Sequence, residues 1–232
     1  MSLERMEKTN NPEVFDRFLT FVESDTFACI GAKTAIVMQT LIHRDCSFES
    51  KITLNDAYGF LKQFCSQREL LSRTNSTFVL TFSDTLITDE DAFESFLWET
   101  LQALHKIDAD SGNSWSGECS SDPLSPQFGF SLMNEPFFVV GLHPHSSRKS
   151  RQSPFPVLVF NAHRQFRHLK EIGLFEKMQK EIRRRETSIQ GSLNPNLSNF
   201  GDESEARQYA GNETSAGWIC PFSKKNSNPR GT

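Results

Sequence analysis

The sequence predicts a single α+β domain in which a central mixed or antiparallel sheet is covered by helices, and three observations carry that prediction. Two apolar runs, Phe128–Leu132 and Phe137–Leu142, stand a short turn apart, which is the spacing of a hairpin. The segments on either side repeat their apolar residues every three or four positions, the period of helices that bury one face. Across 232 residues no shift of composition divides the chain, and the length suffices for one full core. The domain is expected to span 12–222, between a disordered N-terminus (1–11) and a disordered tail (223–232).

Each element has a local reason. Asn11-Pro12 offers an N-cap and a proline at the first helical position, and Val14, Phe15, Phe18, Leu19 and Val22 keep helical spacing, so 12–23 reads as a helix. After a break at 24–26, the stretch Phe27–Lys33 leads into a second helix through about Leu41. A helix over Leu54–Leu71 places Ala57, Phe60, Leu61, Phe64, Leu70 and Leu71 near one face. Thr77–Phe82 alternates and is β-branched, the pattern of a strand. Thr88–Asp91 is an acidic helix start that the dipole favours, and the helix turns Phe93, Phe96, Leu97, Leu101 and Leu104 inward. Residues 108–127, rich in Ser, Asp, Gly and Pro, form a loop long enough to be a mobile lid.

A strand at Pro156–Phe160 and a helix from His163 to about Thr187 follow the hairpin, with Arg183-Arg184-Arg185 placed to complement the dipole at that helix's C-terminal end. The remainder to Phe222 has no period but carries Tyr209, Trp218 and Phe222, so it is expected to wrap the core or close a pocket.

Composition excludes several classes. A net charge of −4 gives no reason to expect nucleic acid or a membrane surface as partner, and no window approaches the roughly 18 apolar residues of a spanning helix. Without an apolar N-terminal signal the expected location is cytoplasmic. Five cysteines without a CxxC pair argue against a disulfide framework and a structural zinc site. No P-loop, GxGxxG, HExxH or GxSxG is present. The 21 Phe against 2 Tyr predict a thick core or an apolar pocket.

Chemistry-bearing residues gather between Phe137 and Lys170. There His143, His145, Arg148, Lys149 and Arg151 leave one apolar run, and Asn161 and His163 leave the next. Such a group on loops held by buried strands fits an anionic ligand or a metal, because Arg forks match carboxylates and neutral imidazole is a common ligand. Cys29 lies just ahead of a helix start, where the dipole favours a thiolate, although a free cysteine is as readily a buried apolar residue.

The chain resembles the YqcI/YcgG family, through pieces kept in one order over roughly residues 13–222. These are Phe27–Lys33, with Ala28 where the family more often has Pro; Gly141–Pro144 with Ser146–Arg148 and Arg151; Phe155-Pro156 and Phe160–His163 with Gln165-Phe166; Gly191-Ser192 with Asn194-Pro195; Ser204–Ala206 with Gln208-Tyr209; and Trp218 with Cys220–Phe222. The resemblance implies a heme-dependent oxygenase that uses dioxygen and an electron donor to hydroxylate a guanidino nitrogen of arginine or an arginine-like amino acid. It implies heme b, an axial ligand, an apolar cleft and cations for the propionates. His143 is the first choice for the iron, His163 the second and Cys29 the third; Arg148, Arg151 and Asn161 would hold the cofactor, and Glu203 and Glu205 would meet the guanidinium. The reading from a different class is a heme or anionic-ligand binding or sensing protein without turnover.

Overall fold

The computed structural model describes residues 7–67, 71, 75–199 and 201–223; the parts of the expected tails at 1–6 and 224–232, Leu70, which the sequence assigns to the expected third helix, and Phe200 lie outside them. One domain is formed, with the element order α1 (Pro12–Glu23), α2 (Ile30–Val37), β1 (Leu41–Asp45), α3 (Leu54–Ser66), β2 (Thr77–Thr81), α4 (Glu90–Asp110), β3 (Phe130–Leu132), β4 (Glu135–Leu142), β5 (Val157–Ala162), α5 (His163–Glu171), α6 (Phe175–Gln190) and α7 (Ala206–Tyr209). The five strands make one mixed sheet in the order β1-β2-β5-β4-β3, with β1 parallel to β2 and the remaining pairs antiparallel. This is the α+β architecture the patterning predicts.

Local chemistry sets the element ends. Asn11 caps α1, its side chain accepting from the Val14 amide at 3.4 Å with Pro12 in the first turn. Thr53 and Asp56 close a capping box on α3, and Asp89 accepts from the Ala92 amide at 2.8 Å to start α4. Met133 and Asn134, both at positive φ, make the two-residue turn between β3 and β4, the conformation whose twist matches paired strands.

Four expectations are corrected. The second helix ends at Val37, and Leu41–Asp45 is a strand, because the charged residues that disguise it are satisfied by distant partners. Asp45 accepts from Asn11 Nδ2 and from the Ser47, Thr81 and Ser83 hydroxyls, and although burial alone would raise its pKa, those hydroxyls hold it below the usual carboxylate range. Residues 8–10, read as part of a disordered end, run along the open edge of β1: the His43 amide donates to the Lys8 carbonyl at 2.8 Å, and the Asp45 amide to Asn10 Oδ1 at 2.7 Å. Covering an edge strand in this way removes a template for aggregation. The helix from His163 breaks into α5 and α6 at Gly173, whose φ of +69° ends the first segment. Because α6 runs on to Gln190, Arg183–Arg185 sit inside the helix and do not neutralise its end. Lastly, the segment following α4 is packed, with Trp115 against Phe128, Phe130 and Phe222 and Ser120 bridged to Phe128.

The sheet divides the molecule into two layers. One face, carrying Ile42, Phe78, Leu80, Phe137, Val139, Leu158 and Phe160, packs on α3 and α4 in a continuous core. The other, carrying Leu41, Val79, Val140, Leu142, Val157 and Val159, lies under α1 and α2, with α5 against β4 and β5. Residues that alternate along each strand therefore belong to different layers.

Candidate functional site

The second layer is not filled. A cavity of about 330 Å³ lies between the sheet and the helices, floored by Val79, Phe138, Val140, Leu142, Val159 and Asn161. Its walls come from α2 (Gly31, Ala32 and Ala35, with Cys29 at the cap), α5 (Gln165, Phe166, Leu169) and α6 (Met178, Ile182, Arg183, Glu186). Arg148, Ser150 and Arg151 enter from the loop after β4, and Asn194, Leu197 and Gln208 from the irregular C-terminal segment. That segment therefore wraps the core and closes a pocket, as its aromatic content predicts, whereas no residue of 108–127 lines the cavity, so that loop is not its lid. The many phenylalanines mainly fill the opposite layer; Phe18, Phe27, Phe138 and Phe166 reach the cavity.

Four of the eight expected site residues meet here: Cys29, Arg148, Arg151 and Asn161. Cys29 caps α2 without a side-chain capping bond. Burial pushes its thiol up, against the pull of the Ala32 and Gly31 amides and of the Arg151 and Arg185 guanidiniums. Arg148 is not a free cation: its Nε and Nη2 reach Glu186 Oε1 at 3.1 and 2.8 Å, and its guanidinium also bonds Ser192. Arg151 donates to the carbonyls of Gly141 and Tyr209, each at 3.2 Å, tying the end of β4 to α7. Its guanidinium lies on Gly211, where a Cβ would stand 2.6 Å from Arg151 Cδ and where φ is +92°. Burial lowers Arg151 to about 10, which leaves it charged at neutral pH. Asn161 reaches the Phe138 carbonyl at 3.4 Å, a long contact that keeps its amide on the cavity floor.

The other four are placed elsewhere. His143 is buried outside the cavity with its ring stacked on Phe93 at a centroid distance of 4.1 Å, and burial lowers its pKa to about 4, so it is neutral. Its backbone amide bonds the Arg151 carbonyl, and Nδ1 has no partner among the described residues. His163 Nε2 lies 3.1 Å from Glu205 Oε1, the same oxygen that accepts the Tyr209 hydroxyl at 2.5 Å, so these three side chains form a buried cluster apart from the cavity. Glu203 is exposed. The carboxylate that does line the cavity is Glu186, which the sequence reading missed because it lies in a charged helix; Ser150 Oγ donates to its Oε2 at 2.6 Å. Gln165 and Arg183 were also missed as site residues. The first was visible as part of the Gln165-Phe166 motif, the second as one of three arginines.

Among the described residues no group of three or more His, Cys, Asp or Glu side chains could hold a metal ion, and no helix is long and apolar enough to cross a membrane. Heme requires fewer protein ligands than a bare ion.

No solved structure matches the chain. The uncharacterized protein YqcI of Bacillus subtilis (strain 168) is 32% identical over 170 residues, a stretch that covers 68% of this chain and 64% of that protein. The match thus spans a little under two thirds of the relative's length. Residues 17–223 match the YqcI/YcgG family, and that range contains the whole sheet and every residue lining the cavity. By this match the chain belongs to the YqcI/YcgG family.

Proposed function

We propose that this chain is a heme-dependent oxygenase that hydroxylates a guanidino nitrogen of arginine or an arginine-like amino acid, with heme b in the cavity and Cys29 as the protein ligand to its iron. One observation carries the choice of ligand: of the three residues expected to reach iron, Cys29 lines the cavity, while His143 and His163 do not. A volume of about 330 Å³ with mainly aliphatic and aromatic walls lies at the low end of the range of about 300–1,000 Å³ usual for small-molecule and cofactor sites, so the covering helices would have to part to admit a whole porphyrin. Bound there, heme would supply activation of dioxygen, which a thiolate ligand favours.

The chain's own contributions are separate. The Gly31 and Ala32 amides and the charges of Arg151 and Arg185 favour a thiolate at Cys29 against the cost of burial, which coordination to iron would offset. Arg148 and Arg151 place positive charge on one wall for propionates. Glu186 replaces Glu203 and Glu205 as the carboxylate for a guanidinium, held in position by Arg148 and Ser150. The apolar floor keeps water from the reacting atoms.

Binding without turnover has an observation in its favour as well. Three arginines, Arg148, Arg151 and Arg183, line the cavity against one carboxylate that is already bonded, which suits an anionic ligand better than a cationic substrate. Reconstitution with heme separates the readings. The oxygenase requires a Soret band and arginine-dependent uptake of dioxygen with a reductant and an electron donor present; a Soret band without uptake favours the sensor. Cys29→Ser should abolish a thiolate-type red-shifted band of the ferrous carbon-monoxide complex. Loss of heme only in His143→Ala or His163→Ala would move the ligand out of the cavity.

A further inference from the structure

We infer that Gln165 and Arg183 hold a carboxylate of the molecule that occupies the cavity, an assignment that rests on the ligand-binding reading above. Two lining residues carry buried donor atoms without a partner among the described residues, Gln165 Nε2 and Arg183 Nε. Gln165 is only 3% exposed although it stands in the first turn of α5, and it lines the cavity together with Asn161, Phe166 and Leu169. Buried donors are almost always bonded, and one left open is costly, so an acceptor on a bound molecule is the direct explanation.

The kind of acceptor follows from the other charges. Arg148 is taken by Glu186 and Ser192, and Arg151 spends Nη1 on two backbone carbonyls. Arg183 spends Nη2 on Asn199 Oδ1 at 3.0 Å and keeps Nε unspent. Glu186, one turn further along α6, does not answer Arg183, because its Oε1 accepts from Arg148 and its Oε2 from Ser150. Both open groups are donors, and a guanidinium, which only donates, satisfies neither. An anionic oxygen satisfies both, and a carboxylate is the anion shared by the α-carboxylate of an amino acid and a propionate of heme. The basic run of α6 thus has a use unrelated to the helix dipole.

Two ligand pairs differ in the carboxylate alone: L-arginine against agmatine, read by thermal shift, and heme against heme dimethyl ester, read by Soret titration. The first is measured on heme-reconstituted protein, or on the protein as purified if no Soret band develops. Wild type is expected to prefer the carboxylate-bearing member of one pair by about tenfold or more, and Gln165→Leu and Arg183→Met should each remove most of that preference. Whichever pair shows it identifies the source of the carboxylate. Without ligand, Gln165→Leu should melt about 2–4 °C higher than wild type, since it removes an unbonded buried donor. A wild type without preference in either pair, or variants that keep it, would overturn the assignment, as would a comparable fall in the ligand-free midpoint of Gln165→Leu. Absence of a Soret band in wild type would defeat the heme reading alone and leave arginine against agmatine to decide this one.

Discussion

The two layers of this molecule are built from the same strands, yet they do different things. On the α3/α4 side, Phe78, Phe130, Phe137 and Phe160 interlock with ring centroids 6.0–6.4 Å apart, and even Gly141 is pressed by Phe93 and Leu97, where a Cβ would meet carbon at 2.6 Å. On the α2/α6 side the strand positions that floor the cavity are mostly smaller, Val79, Val140, Leu142, Val159 and Asn161 beside Phe138, and space remains beneath Cys29, Gln165 and Arg183. Stability is concentrated in the first layer because large rings exclude both water and voids. The second layer, with fewer large rings, keeps room for a ligand.

Two consecutive residues of β5 test this contrast most strongly. Phe160→Ala should cost about 3–5 kcal/mol, since it empties a ring-sized site that the sheet cannot close. Val159→Phe faces the cavity and should change stability by less than about 1 kcal/mol instead of the 1–3 kcal/mol of overpacking, while displacing the heme proposed to bind there. Urea unfolding and Soret titration measure the two effects. Equal destabilisation by both changes would mean that the second layer is as tightly filled as the first.

The next effect is one of pH and belongs to the dense layer. His143, with its folded pKa lowered to about 4 from an ordinary 6.5, stays neutral in the folded chain while the unfolded chain takes up a proton. Stability at neutral pH should therefore be full above about 6.5 and decline as pH falls toward 4, by about 3 kcal/mol at most. Below that, both states are protonated at this group and its contribution to the slope ends. His43, lowered to about 3 by burial, adds in the same direction. His143→Phe keeps the stack on Phe93 and should flatten the decline; an unchanged acid profile in that variant would remove His143 as its cause.

Smaller still is Gly211→Ala, which meets both an unfavourable φ and the Arg151 side chain and should cost about 1–3 kcal/mol. Because it pushes Arg151 off two carbonyls at the edge of the cavity, retention of the proposed heme should fall with it, unlike the effect of Phe160→Ala on any protein that remains folded. At the lower limit, Glu203→Gln is expected to stay within about 0.5 kcal/mol of wild type and to leave ligand binding unaltered, since Glu203 is exposed. A loss of arginine binding in that variant would restore Glu203 to the site.

The amino-acid sequence by itself determined what depends on near neighbours. The Asn11-Pro12 cap, the acidic start of α4, the hairpin and the apolar runs of β4 and β5 are legible because each is decided within a few residues. Arg148, Arg151 and Asn161 were legible as candidates because they follow apolar runs, and Cys29 because it stands just ahead of a helix start. Only the tertiary structure decided which of them share a space. Strand order puts β5 between β2 and β4 and gives each face its helices, so His143 stacks on Phe93 in one layer while Arg151, eight residues on, lines the other. β1 was hidden because His43, Arg44 and Asp45 look like a solvated turn until Thr81 and Ser83, 36 and 38 positions from Asp45, supply its hydrogen bonds. Burial of a polar group depends on partners remote in sequence, and no local period records them.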